Sequence, residues 1–104
     1  MPRLAFRMQL KPGVAAEYKK RHDEIWPALV AELKAVGVSD YSIFLDEETL
    51  TLFAVQKLSA GNTASALPDT PIVRKWWGYM APLMETHADN SPFAKPLAEV
   101  FHLD

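Results

Sequence analysis

The sequence predicts an α+β fold, in which an antiparallel sheet of four strands is covered by helices on one face. Three observations lead to this prediction. Some segments alternate apolar and polar residues, as half-buried strands do, while others repeat apolar residues every three or four positions, as helices do. These segments follow one another in the order strand, helix, strand, strand, helix, strand. The chain has 104 residues, which is enough for one domain with a modest core.

The first strand is predicted over residues 3–10, where apolar residues alternate with polar or small ones. Four apolar side chains share one side of this strand: Leu4, Phe6, Met8 and Leu10. Pro12 and Gly13 then form a turn that ends it.

A helix is predicted over residues 14–23. Its stripe recurs at spacings of four, four and three residues: Val14, Tyr18, His22 and Ile25. Tyr18 and His22 are therefore expected on one inward face. Pro27 should open a second helical segment over residues 27–36, because proline fits the first turn of a helix but not its interior. Trp26 is expected to pack beneath the joint.

A β-hairpin follows these helices. Residues 40–46 and 49–58 are rich in β-branched, aromatic and aliphatic residues, and Glu47 and Glu48 lie between them. Residues 59–69 are small and polar, which predicts at most a weak helical turn.

The last helix is predicted to begin with Thr70 as its N-cap and Pro71 in its first turn, and to run to about Met80, where Pro82 ends it. This helix and the two earlier helical segments are predicted to cover one side of the sheet.

The end of the chain is predicted as a loop over residues 85–96, which contain two prolines, and an alternating strand over residues 97–103. The complete order is the βαββαβ arrangement of ferredoxin-like folds. The sequence thus predicts a single ferredoxin-like domain over residues 1–104.

Helices cover only one face of such a sheet, so the other face needs a partner unless it is polar. The uncovered face would carry apolar Phe44 and Ala5 beside polar Arg7 and Gln9. Self-association through this face is therefore expected, and a homodimer is favoured over a monomer.

The charge of the chain argues against a nucleic-acid partner. The net charge is −2, whereas binding to phosphates needs an excess or a stripe of basic residues. The basic residues Lys19, Lys20 and Arg21, and the pair Arg74 and Lys75, are expected to form solvated helix faces.

The sequence contains no cysteine, which excludes disulfides, thiol nucleophiles and thiolate metal sites. Arg3 and Arg7 interrupt the apolar residues near the start, which argues against a signal-peptide core, and no later segment is long enough to cross a membrane. The expectation is a cytoplasmic protein that does not contact membranes.

The three histidines are candidates for proton transfer, because the unperturbed pKa of histidine is about 6.5. His22 is predicted to face inward beside Tyr18, which leaves open a catalytic role or a hydrogen-bonded packing role. His87 and His102 have no second ligand at a suitable spacing, so they are expected to be surface or packing residues and not metal ligands.

Four aromatic residues are candidates for a binding surface. Adjacent residues on a helix point about 100° apart, so Trp76 and Trp77 should form a wall or corner, with packing an equally good explanation. Tyr18 and Tyr41 combine a ring with a hydroxyl that needs a partner when buried. The sequence has no Gly-x-Ser-x-Gly element and no glycine-rich phosphate loop. The residues therefore favour proton transfer in an aromatic pocket without a cofactor.

Several separated segments resemble the L-rhamnose mutarotase family, in the same order and with little change in spacing. The segments are EYKKRHDEIWP at residues 17–27, YSIFLD at residues 41–46, RKWWGYM at residues 74–80 and DNSP at residues 89–92. The chain differs from the family mainly at residues 59–68, which are small and polar where the family has a fuller helix, and at Lys95 and Pro96.

The resemblance implies a homodimer of ferredoxin-like α+β chains, in a dimeric α/β-barrel-like assembly, that interconverts the α and β anomers of L-rhamnose without a cofactor. It implies that His22 is the proton donor. It also implies that four residues line the sugar site: Tyr18, Tyr41, Trp76 and Trp77. Opening a pyranose ring requires a proton at the ring oxygen and the loss of one from the anomeric hydroxyl. The base stays open between Asp23, Asp89, a tyrosine hydroxyl and water.

Two further functions remain open from the sequence. A cofactor-free or haem-degrading monooxygenase is one, because such enzymes share the dimeric ferredoxin-like architecture. A sugar-binding module without turnover is the other.

Overall fold

The computed structural model describes residues 3–104 and confirms the predicted α+β class. The two residues before Arg3, which the single-domain prediction also covers, lie outside the described residues. The strands are β1 (Arg3–Gln9), β2 (Val38–Asp46), β3 (Thr51–Leu58) and β4 (Lys95–Leu97). The helices are α1 (Ala15–Asp23), α2 (Pro27–Ala35) and α3 (Pro71–Met80), with 3₁₀ turns at Ala64–Asp69 and Ala81–Leu83. No helix within residues 3–104 is both long and apolar enough to span a membrane.

The four strands form one antiparallel sheet in the order β2-β3-β1-β4. Side chains alternate between its two faces, and the register places Met8 opposite Leu52 and Phe6 opposite Ala54. These residues face the helices and belong to a core that also contains Tyr18 of α1 and Met80 of α3. The functional aromatic residues of α1 and α3 therefore lie on the same side of the sheet.

The joint between α1 and α2 forms where proline predicts it. Helix α1 ends at Asp23, and Trp26 holds an extended backbone conformation as the N-cap of α2. Gly37 follows α2 with a φ of 97°, and a Cβ there would overlap the Ser59 side chain. Glycine is thus required at Gly37 both for its backbone and for the close approach of the neighbouring loop.

Strand β2 starts two residues earlier than predicted and contains an irregularity that the sequence did not reveal. The register with β3 shifts between Ser39 and Ser42, and Asp40 has a φ of 47°. Such a bulge changes which side chains face each side of the sheet. Here it brings the ring of Tyr41 to 6.5 Å from that of Phe6, which faces the helices.

The prediction of a final strand over residues 97–103 was wrong. Strand β4 covers only Lys95–Leu97, so part of the predicted loop is in fact strand, and residues 98–104 form no strand. The pairing stops where Leu97 lies opposite Ala5, although β1 continues to Arg3, whose side chain pairs with Glu99 at 2.9 Å. The tail leaves Val100 93%, Phe101 78% and Leu103 80% exposed.

The structure also differs from two smaller expectations, which concern the start and the end of α3. Thr70 is the N-cap of α3, but its hydroxyl makes no capping bond and instead donates to the Leu67 carbonyl at 2.7 Å. Pro82 does not end the helical turn at once, because a 3₁₀ turn continues through Ala81–Leu83. Proline is compatible with this turn because it lies in the first positions.

Candidate active site

Helix α1 places Tyr18 and His22 side by side on its inward face, as the spacing of four residues predicts. Their ring centroids are 4.4 Å apart at an angle of 34°. Tyr18 is 8% exposed and His22 is half-buried. The imidazole is therefore held against a buried phenol ring, with part of its surface still open.

One hydrogen bond defines the state of the His22 ring. Its Nδ1 lies 3.0 Å from the carbonyl oxygen of Tyr18. A carbonyl can only accept, so Nδ1 carries the proton and donates, which leaves a lone pair on Nε2 of the neutral ring. Burial lowers the pKa of His22, against the opposing effects of this hydrogen bond and of the Asp23 charge. The ring is thus predominantly neutral near pH 7.

Trp76 connects His22 to the rest of an aromatic cluster. Its ring meets the edge of His22 at a centroid distance of 5.4 Å and an angle of 89°. It also meets Trp26 at 5.1 Å and Tyr79 at 5.8 Å. Trp26, at the joint between the first two helices, thereby packs against α3, as expected from its position. Edge-to-face pairs of this kind are favourable beyond the area they bury.

Trp77 does not share these contacts. Its side chain is half-buried, but within residues 3–104 the ring contacts of the doublet with other aromatic residues involve Trp76 alone. Consecutive helical residues point about 100° apart, so the two indoles cannot face His22 equally. The structure brings Trp76 to His22 and leaves Trp77 beside it as a flanking surface.

Tyr41 joins the site from the sheet. The irregularity in β2 places it beside Gln56, whose side chain is hydrogen-bonded to it, and burial raises the pKa of Tyr41 to about 12 despite that bond. Burial also raises the pKa of Tyr18, with the charge of Tyr41 adding to the effect. Two weakly acidic hydroxyls thus lie on the same side of the sheet, one from a helix and one from a strand.

Gln56 is a site residue that the sequence interpretation missed. It is only 6% exposed and lies on the helix-facing side of β3, two positions beyond the fully buried Ala54. Polar side chains at such positions need hydrogen-bond partners. The signal that could have identified it is therefore the amide at an inward position of the alternating strand.

Arg21 was wrongly expected to be solvated. Its side chain is 19% exposed, and its Nε donates to Glu17 at 2.8 Å. Its guanidinium also donates to the Tyr79 carbonyl and lies 4.1 Å from the centre of the Tyr79 ring. Arg21 therefore ties α1 to α3 directly behind the aromatic cluster.

The other titratable candidates make their side-chain contacts with residues outside this cluster. Asp23 is exposed and pairs with Lys19 at 2.8 Å. Asp89 accepts hydrogen bonds from the backbone and the side chain of Ser91, and these bonds hold its pKa below the usual range. His87 packs against Phe93 in the predicted loop. His102 pairs with Asp104 in the exposed tail, as a surface residue.

Within residues 3–104, the aromatic cluster around His22 contains no metal-binding group and does not line the surface depression beside β1. Residues 3–104 contain no group of three or more histidine or acidic side chains able to hold a metal ion. A surface depression elsewhere on the chain is lined by Arg7, Met8, Gln9, Thr51, Phe93 and Lys95. The aromatic residues around His22 do not line it.

The arrangement around His22 can transfer a proton next to flat apolar surfaces. Neutral Nε2 can accept a proton and return it, while Trp76 offers a ring face or edge. The hydroxyls of Tyr18 and Tyr41 can orient polar groups of a ligand. This combination suits a small ring-shaped molecule that has both hydroxyl groups and an apolar face.

Comparison with known proteins agrees with this chemistry. A sequence model of a family described as L-rhamnose mutarotase matches residues 3–103. The chain is 58% identical over 103 residues to an L-rhamnose mutarotase of Jannaschia sp., and 57% identical to one of Sinorhizobium fredii, each match covering 99% of both chains. It is similar to a crystal structure of an L-rhamnose mutarotase from Formosa agariphila, with a TM-score of 0.93, 51% identity and full coverage of both chains.

Proposed function

The chain belongs to the L-rhamnose mutarotase family, and from that premise we propose that it is an isomerase that interconverts the α and β anomers of L-rhamnose. The observation that carries this proposal is the neutral imidazole of His22 held between Tyr18 and Trp76. Anomer exchange needs a group that can both accept and donate a proton near neutral pH, and an imidazole meets this need.

His22 is the proton donor of the proposed reaction. In its protonated form Nε2 donates to the ring oxygen while the bond from the anomeric carbon to that oxygen breaks. Reclosure on the other face of the aldehyde forms the second anomer. Positioned acid/base catalysis gives about 10² to 10⁴-fold acceleration, which suffices for a reaction that already proceeds in water.

The aromatic residues provide the sugar site. Trp76, flanked by Trp77, is suited to cover the apolar C–H face and the methyl group of a 6-deoxy sugar. The hydroxyls of Tyr18 and Tyr41 are suited to hydrogen-bond the ring hydroxyls. Discrimination against the 6-hydroxy analogue, L-mannose, should be modest, because an apolar pocket rejects an added hydroxyl by only about 10²-fold.

We further propose a homodimer of ferredoxin-like chains in a dimeric α/β-barrel-like assembly. The element order and the strand order β2-β3-β1-β4 support the fold assignment. The sheet face that the helices leave uncovered supports the dimer, because Phe44 is 62% and Phe53 38% exposed there. The cytoplasmic location expected from the sequence remains a prediction.

Saturation transfer between the two anomeric proton signals of L-rhamnose tests the proposed function. Micromolar protein is expected to raise the exchange rate well above that in buffer. A panel that includes L-mannose and L-fucose would measure the substrate range in the same experiment. Affinity by calorimetry without any gain in exchange would instead indicate a sugar-binding module.

A further inference from the structure

We propose that His22 carries out both proton transfers of ring opening, with Nε2 taking the proton of the anomeric hydroxyl and delivering the same proton to the ring oxygen. The inference rests on the proposed anomer exchange and identifies the base of that reaction. It follows from the contacts of the carboxylates and tyrosines that could serve as that base.

The two candidate carboxylates, those of Asp23 and Asp89, already have partners of their own. The Asp23 side chain is 60% exposed and lies 2.8 Å from Nζ of Lys19. Asp89 lies in an exposed loop, where its carboxylate accepts both the backbone and the side-chain bonds of Ser91. Each carboxylate already has a partner of its own, which makes it a less suitable acceptor for the sugar proton than Nε2 of His22.

The two tyrosines can bind but not act as bases. Burial raises the pKa of both phenols, that of Tyr41 to about 12. The bond from Gln56 lowers the pKa of Tyr41, as expected when an amide N–H donates to the phenol oxygen. The hydroxyl proton of Tyr41 is then free to donate to a sugar hydroxyl. Neither phenol is ionised near neutral pH, so neither is available to take a proton.

The hydrogen bonding of His22 prepares its ring to accept the proton of the anomeric hydroxyl. Its Nδ1–H is fixed on the Tyr18 carbonyl, and within residues 3–104 no hydrogen-bond partner occupies Nε2. The neutral ring therefore enters the reaction as an acceptor and becomes a donor only after it has taken a proton. The anomeric hydroxyl oxygen and the ring oxygen are bonded to the same carbon, so one nitrogen can reach both.

The step balances without any other reactant. Nε2 removes the proton from the anomeric hydroxyl, and that O–H electron pair becomes the second bond of the aldehyde. The bond between the anomeric carbon and the ring oxygen breaks, and its electrons stay on the ring oxygen, which then takes the proton from Nε2. After rotation about the adjacent carbon–carbon bond, the reverse sequence closes the ring on the other aldehyde face.

The groups that face His22 set the pH at which it works. Its own helix contributes Tyr18 and the charge of Asp23, which favours the protonated ring. Helix α3 presents Trp76 and, behind it, Tyr79, while Tyr41 of the sheet acts on the neighbouring Tyr18. Because burial outweighs the Asp23 charge, exchange should fall only when the pH drops below the lowered pKa of His22.

The test is the anomer-exchange rate at saturating L-rhamnose between pH 5 and 9, for the wild type and four variants. The wild type should show one acidic limb and then a plateau. Tyr18→Phe and Tyr41→Phe should keep this shape and lose at most about tenfold, the effect of one hydrogen bond. Asp23→Asn should move the acidic limb to lower pH and keep the plateau. His102→Ala is the matched control and should match the wild type.

Three results would overturn the inference. A plateau rate reduced 10²-fold or more in either tyrosine variant would identify that hydroxyl as a second proton-transfer group. The same loss in Asp23→Asn would identify the carboxylate as the base. A second, alkaline limb in the wild type would require another titrating group. Each of these results leaves the mutarotase function in place, whereas absence of wild-type exchange at every pH would contradict the function itself.

Discussion

The two faces of the sheet both carry large side chains but differ in what covers them. On the helix side, the polar groups among the aromatic residues are partnered, as with His22 on the Tyr18 carbonyl and Gln56 on Tyr41. On the uncovered side, Phe44 and Phe53 are exposed next to each other across β2 and β3. Alternation along the strands gives both faces large side chains. The helices that cover one face supply the partnered polar groups that a reaction needs there.

This difference shows that a group of aromatic side chains does not by itself identify an active site. The helix side combines aromatic rings with a titratable group whose hydrogen bond fixes its tautomer. The uncovered side combines apolar rings with Arg7 and Lys95, which face each other across β1 and β4. The first set suits a reaction, and the second suits association with another chain. The predictions that follow separate these two roles.

The largest effect is expected from His22→Ala. Removing the proton-transfer group should lower the exchange rate at saturating sugar by about 10² to 10⁴-fold. Sugar affinity measured by calorimetry should change far less, because the tyrosines and tryptophans remain. A variant that binds poorly but exchanges normally at saturation would assign His22 to binding instead.

A smaller effect is expected from the tryptophan doublet, and it should be unequal. Trp76→Phe should raise the KM for L-rhamnose about 3- to 10-fold, because Trp76 alone of the two contacts His22. Trp77→Phe should raise the KM less, because its ring flanks the cluster. Calorimetric melting of both variants controls for folding. A larger rise for Trp77→Phe would contradict the geometry of the cluster.

Changes on the uncovered face should alter assembly with little effect on chemistry. Phe44→Asp places a charge on a side chain that is 62% exposed in the single chain, so the fold should survive while the proposed dimer dissociates. Analytical ultracentrifugation would measure this, with Ala31→Asp on the exposed surface of α2 as the matched control. A Phe44→Asp protein that remains dimeric would show that the chains associate elsewhere.

The smallest effect concerns the contact that holds α1 against α3. Arg21→Met removes the bond to the Tyr79 carbonyl, the ring contact and the Glu17 pair, and should lower the free energy of unfolding by about 1–3 kcal/mol. Lys19→Met removes only an exposed pair with Asp23 and should cost less than about 0.5 kcal/mol. Urea denaturation compares the two. Equal losses would mean that Arg21 does not join the helices.

Much of the fold could be predicted from periodicity and turn residues. The spacing of Tyr18 and His22 predicted their shared inward face, and Pro27 predicted the break between helices, because both depend on local geometry. The hairpin and the last helix were predicted on the same basis. The structure places Tyr18, His22, Tyr41 and Trp76 on one side of the sheet, and their roles in a sugar site stay a prediction.

The parts that could not be predicted depend on contacts between distant segments. The last strand is short because its pairing with β1 stops opposite Ala5, which the alternation of residues 97–103 does not reveal. Arg21 is half-buried because Tyr79 lies above it in α3, and Gln56 is a partner of Tyr41 because of an irregularity in β2. Tertiary contacts of this kind override the local pattern.

The most direct test of the central claim, that the helix side of the sheet carries the reaction through His22, is saturation transfer between the anomeric protons of L-rhamnose at pH 7.5. Wild type and His22→Gln should be measured side by side, since glutamine retains hydrogen bonding but cannot transfer a proton. The account predicts strong exchange with the wild type and a rate close to that of buffer with the variant. Equal exchange by the two proteins, or none above buffer with the wild type, would contradict it.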